Sequence, residues 1–156
     1  MRVWLCALLI AFGGVASAEE RGRETGFPIP RYVSLKAKEA NIRRGPGFDH
    51  RIDWVFQRRG MPLRVVAEYD VWRKVEDIEG EGGWIHATML SGIRTVILTE
   101  EAALLDRPSD RGRAVARVEP QVVARLEGCE GDWCSVAVDD VRGWVPGPSL
   151  WGLNPD

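Results

Sequence analysis

Residues 31–93 and 94–156 read as two copies of one module, and this internal repeat constrains the fold before any chemistry is considered. Glu39-Ala40-Asn41-Ile42 with Pro46 recurs as Glu101-Ala102-Ala103-Leu104 with Pro108, an offset of 62 (108 − 46). Met61, Leu63, Val65 and Trp72 recur as Val122, Ala124, Leu126 and Trp133, an offset of 61 (133 − 72). Gly83-Trp84-Ile85 with Leu90 recurs as Gly143-Trp144-Val145 with Leu150, an offset of 60 (144 − 84). The offset changes one residue at a time, each time in polar, Gly-bearing sequence where a loop absorbs the difference.

Within each copy the signals are those of short strands: runs of four to eight residues rich in Val, Ile, Leu and Trp, punctuated by Gly, Pro and Asp. Leu63–Tyr69 and Trp72–Ile78 predict a hairpin around Tyr69-Asp70-Val71, and Val122–Glu127 with Trp133–Val138 its counterpart. Alternation within these strands is imperfect, as in strands that curl around a small barrel. No window supports a long amphipathic helix, though residues 87–90 and 147–150 suit single 3₁₀ turns. The joining segment, residues 90–98, lacks linker composition and reads as strand running into strand, which predicts two modules held in a fixed relation. The expected fold class is all-β, two tandem small barrels.

Ahead of the repeat, Arg2, the apolar stretch Val3–Val15 and Ala16-Ser17-Ala18 make residues 1–18 an export signal with a small-x-small cleavage site. The apolar stretch is shorter than the roughly 20 residues a membrane-spanning helix needs. The mature chain is therefore expected to start at Glu19, without a stable membrane span, in the periplasm or secreted. Residues 19–30 alternate charge with Gly and Pro and predict a flexible leader.

Cys6 leaves with the signal, so Cys129 and Cys134 are the mature cysteines, in a compartment where a disulfide persists. Their spacing suits a bridge closing a hairpin end, worth ~2 kcal/mol by loop entropy. The alternative, a redox site, has the wrong spacing for the two-residue oxidoreductase motif. Two sulfurs without a nearby histidine supply only half a zinc site, so neither metal nor cofactor is expected. Without Arg2 the chain carries 20 basic (21 − 1) and 23 acidic residues, which speaks against general nucleic-acid binding. Residues 31–93 carry 11 Lys/Arg and 9 Asp/Glu, residues 94–156 carry 7 and 11, so an anionic partner favours the first copy unless the difference is surface drift.

In the first copy Asn41-Ile42-Arg43-Arg44-Gly45-Pro46, then Trp72, then Gly83-Trp84-Ile85 resemble the bacterial SH3-like (SH3b) domain, with its opening Asn-x-Arg-x-Gly-Pro type motif, mid-domain Trp and closing Gly-Trp-Val. Pro28-Ile29-Pro30-Arg31-Tyr32-Val33-Ser34-Leu35, Trp72-Arg73 and Asp132-Trp133-Cys134 are similar to a group of exported tandem SH3-like proteins of Gram-negative bacteria. The resemblance spans roughly residues 27–153 and implies five- to six-stranded barrels that bind peptides, wall fragments or other proteins. The second copy departs at its opening, with Ala103, Leu105 and Arg107 in place of Asn41, Arg43 and Gly45. Asn holds turns and Gly adopts positive φ, so their loss predicts a different loop.

The ligand candidates are Asn41, Arg43, Arg44, Trp54, Trp72 and Arg73. Trp54 has no counterpart in the second copy, and Arg43 and Arg44 flank the Gly-Pro turn, where they either meet a carboxylate ligand or pair with Asp49, Asp53 or Glu76. Trp84 and Trp144 read mainly as core, Trp72 and Trp133 as core or groove. His50 and His86 fit no metal spacing, no serine stands in a nucleophile elbow, and no carboxylate pair is marked by a motif. These features point to a non-enzymatic exported module that recognises a peptide or peptidoglycan fragment, or a periplasmic protein. A scaffold acting through its sheet edges is the competing reading, and a cell-wall hydrolase the third.

Overall fold

A computed structural model describes residues 20–154 of the chain; the export signal expected at residues 1–18 lies outside them. Over the described residues the fold is all-β, with fourteen strands and two 3₁₀ turns. The first sheet is built from β1 (Arg31–Leu35), β2 (Ala40–Arg43), β3 (Ile52–Phe56), β4 (Pro62–Tyr69), β5 (Trp72–Glu76), β6 (Gly82–His86) and β7 (Leu90–Ser91). Its order is β3-β2-β6-β5-β4-β1-β7. The second repeats that order with β8 (Thr95–Leu98), β9 (Ala102–Leu105), β10 (Ala114–Val118), β11 (Val123–Glu130), β12 (Trp133–Val138), β13 (Val141–Pro146) and β14 (Leu150–Trp151). Seven strands rather than five or six arise because the opening loop is itself a hairpin, β2–β3, and a two-residue strand closes each sheet. The 3₁₀ turns, Ala87–Met89 and Gly147–Ser149, stand where composition placed them.

The repeat offsets are the spacing of the two cores. Ile42, Leu63, Val75 and Ile85 are buried in the first, and Leu104, Ala124, Val136 and Val145 at the matching positions in the second. Each fully buried aliphatic side chain contributes about 2 kcal/mol, so a cluster of this size holds a small barrel. Trp84 and Trp144 do not join these cores: each precedes a buried residue, Ile85 or Val145, and strand alternation turns it to the other face, where it is half-buried.

The two barrels meet directly. Thr95 Oγ1 donates to the Gly60 carbonyl (2.6 Å), Asn154 Oδ1 accepts from the Tyr32 N–H (3.2 Å), and the Tyr32 and Trp151 rings pack edge to face at 5.0 Å.

The leader is not the flexible segment its composition predicts. Residues 20–30 form a small hairpin, with the Gly22 N–H donating to Phe27 O (2.8 Å) and the Ile29 N–H to Glu20 O (2.8 Å). The hairpin is pinned to Glu68 on β4, whose carboxylate accepts from the Glu24 and Thr25 N–H groups (3.0 Å each), from Thr25 Oγ1 (2.7 Å) and from Arg31 Nη2 (2.7 Å). Gly22 suits this position, since a Cβ would run into the Glu68 carboxylate that the hairpin holds in place.

Candidate functional site

The β2–β3 loop begins in Gly45-Pro46-Gly47, and its tip is Phe48. Gly45 does not adopt positive φ, and the His50 ring packs over the space where a Cβ would project. Arg43 ties the loop together: its Nη1 donates to the Phe48 (3.0 Å) and His50 (2.8 Å) carbonyls, and its guanidinium lies 5.5 Å from the Phe48 ring centre.

Phe48 remains 71% exposed, yet its ring is held on a platform. It meets Trp72 edge-on at 4.9 Å and stacks on His86 at 5.8 Å, while Trp72 and His86 meet at 5.4 Å. Trp72 is only 5% exposed and serves as the floor of this group. His86 caps the 3₁₀ turn, accepting from the Thr88 N–H at Nδ1 (3.3 Å). The adjoining β4–β5 turn is bound to the same 3₁₀ turn by the Ala87 N–H and Val71 O (2.8 Å). Asp70 supplies the left-handed residue that this tight turn requires (φ 48°), a conformation Asp tolerates, and Gly131 supplies it in the second barrel (φ 55°). Tyr69 and Val71 flank Asp70 and are exposed. The result is an aromatic ledge with a cation beside it, the kind of surface on which a peptide's apolar and π groups pack.

Of the six candidates, Arg43 and Trp72 come together in this ledge. Asn41 lies exposed on β2 opposite Val55 and holds no turn. Trp54, 47% exposed, lies on β3 at the edge of the sheet. Arg44 pairs with Asp53 (3.1 Å), as does Arg51 (2.8 Å), so it meets an acid of its own protein. Burial would raise the Asp53 carboxyl, but the hydrogen bonds from Arg51 and Arg44 outweigh it and hold it below its ordinary value.

Arg73 belongs to a separate cluster. Its Nη1 donates to the Asp70 (2.7 Å) and Trp72 (2.8 Å) carbonyls, and its Nε lies 3.6 Å from the Glu68 carboxylate, whose side chain is fully buried. Burial alone would push the Glu68 carboxyl up; the hydrogen bonds from Thr25, Arg31 and the Glu24 backbone override it and bring it down to about 2. The second barrel has Cys129 bonded to Cys134 at the tip of β11–β12 (S–S 2.03 Å).

Sequence reasoning missed Phe48 and His86. The available signal was an aromatic residue directly after Gly-Pro-Gly, where a large ring at a tight turn has no core to enter. The second barrel has Asp110 and Pro146 at the corresponding offsets of 62 (110 − 48) and 60 (146 − 86), and so no such ledge. Among the described residues no group of three or more His, Cys, Asp or Glu side chains is placed to hold a metal, and no helix is long and apolar enough to cross a membrane.

The bacterial SH3 domain family matches the chain twice, at residues 36–92 and 99–152, and the chain belongs to that family as two tandem SH3-like domains. Membership points to a binding module. No curated protein matches the chain. Among solved structures it is similar to NlpC2 from Trichomonas vaginalis (13% identity, TM-score 0.37, covering 78% of this chain and 48% of that one). It is likewise similar to NlpC1 from the same organism (14% identity, TM-score 0.37, 83% and 48%). The chain thus spans about half the length of either protein.

Proposed function

We propose that the protein is a non-enzymatic binding module, exported to the periplasm, whose first barrel recognises a peptide-containing ligand: a peptidoglycan stem peptide or a segment of a periplasmic protein. The observation that carries this reading is Phe48, an aromatic ring 71% exposed yet fixed on Trp72 and His86 with Arg43 at its side. A ring held in place before binding loses little freedom when a ligand packs on it, which is what an anchor residue requires. The positive balance of residues 31–93 favours a ligand that bears carboxylates.

Sedimentation of the mature protein with purified sacculi tests the wall ligand, and crosslinking in intact cells followed by mass spectrometry tests the protein ligand. Binding in either assay must weaken in Phe48→Ala; a Phe48→Ala protein that binds as well as the parent removes the ledge from the function. The scaffold reading rests on the exposed Trp54 and Val55 of edge strand β3 and predicts the same indifference to Phe48.

A further inference from the structure

Arg94 stands in the second barrel where Arg31 stands in the first. Arg31 is in register with Val65 on β4, and the Arg94 carbonyl accepts from the N–H of Leu126, the counterpart of Val65 (126 − 65 = 61). In the first barrel this guanidinium is met by Glu68, which faces Arg73 across the hairpin. The second barrel carries Cys129 at the Glu68 position (129 − 68 = 61) and Cys134 at the Arg73 position (134 − 73 = 61), also cross-strand partners. The second barrel thus has a disulfide where the first has the acid, and the cation is present in both.

Among the described residues, nothing around Arg94 neutralises it. Its Nη2 donates to the Gly152 carbonyl (2.6 Å), its guanidinium lies 6.0 Å from the Tyr32 ring centre, and its Nε is buried with no hydrogen-bond partner. Among the described residues no carboxylate lies within ion-pair distance of it. Burial lowers its pKa, which reflects the cost of holding the charge there. Arg94 lines a pocket of 290 Å³ together with Leu126, Leu153, Asp132 and the disulfide. At the matching place in the first barrel a stretch of polypeptide, residues 20–30, is already docked against Glu68.

We propose that this pocket binds a carboxylate carried on an apolar group, as at the C-terminus of a peptide. Arg94 donates to the carboxylate, and Leu126, Leu153 and the disulfide cover the apolar part. The volume suits one side chain with its carboxyl group. Asp132 on the rim disfavours a dianion, so inorganic phosphate is a poor substitute.

The test is an NMR titration of the oxidised mature protein with N-acetyl-leucine, N-acetyl-leucinamide and inorganic phosphate. N-acetyl-leucine is expected to shift the Gly131 and Gly147 amides, with the amide analogue and phosphate at least about tenfold weaker. Arg94→Gln should weaken the acid by a similar factor. Because Arg94 also touches the joint between the barrels, a second variant is needed. Cys129→Glu with Cys134→Arg restores the internal acid of the first barrel, and it should abolish binding while leaving Arg94 in place. The proposal is overturned by equal binding of acid and amide, by shifts centred on Phe48 and His86, by no binding to the parent protein, or by undiminished binding in either variant.

Discussion

Glu68 and Arg73 face each other across β4 and β5 in the register position that Cys129 and Cys134 fill in the second barrel. One hairpin tip is tied by charge and hydrogen bonds, the other by a covalent bond. The two halves should therefore respond to different agents.

Acid should act on the first half. The Glu68 carboxyl is held at about 2 in the folded protein against an ordinary 4.5. A depressed folded value means that the stabilisation is complete above the unfolded value and is lost as pH falls from 4.5 toward about 2. It is worth on the order of 3 kcal/mol. Glu68→Gln should remove it at neutral pH, release the 20–30 hairpin to proteolysis and flatten the acid limb of a urea-unfolding series. An acid limb identical in parent and variant would contradict the assignment.

Reductant should act on the second half. The ring closed by Cys129 and Cys134 is small, so its loss should cost about 2 kcal/mol without unfolding the barrel. Denaturation with and without reductant measures the difference, and two titratable thiols in protein isolated from periplasm would show that the bond does not form there.

The aromatic ledge predicts a split between binding and folding. Phe48→Ala should cost about 2 kcal/mol of ligand binding with the thermal midpoint nearly unchanged, because most of the ring is exposed. Trp72→Ala should instead cost about 3 kcal/mol of stability, since it removes the buried floor. Trp54→Ala should leave the midpoint in place, and any loss of binding would extend the contact surface to β3.

The proposed export would yield a mature protein beginning at Glu19, because an apolar stretch too short for a span ends in a small-x-small site. Intact-mass measurement of the periplasmic fraction decides this, and retention of Met1–Ala18 in membranes reverses it.

The repeated core was legible because burial imposes a pattern on both copies: Ile42 and Leu104, or Val75 and Val136, are matched in sequence for the same reason that they are matched in space. The cysteine bridge was legible from spacing. Features that occur once left no such trace. Glu68 binds Thr25 across 43 residues, a pairing that no local window reports, so the leader's Gly, Pro and charge read as disorder. Phe48 and His86 are separated by the whole β3–β5 region, and neither recurs in the second copy to mark it. Gly45 is not in the left-handed conformation that a glycine beside a Gly-Pro turn suggests, because local sequence does not report backbone φ.

Cutting the chain between residues 93 and 94 would not yield two clean reagents. Tyr32 would lose the Trp151 ring and the Arg94 guanidinium, and Thr95 and Gly60 would lose each other. Each half would present raw aromatic surface and unmatched polar groups to water. Separate barrels should be prone to self-association, and an affinity measured on one of them would belong to a wounded surface rather than to the native face. Dissection of this protein is better done by point changes within the intact pair.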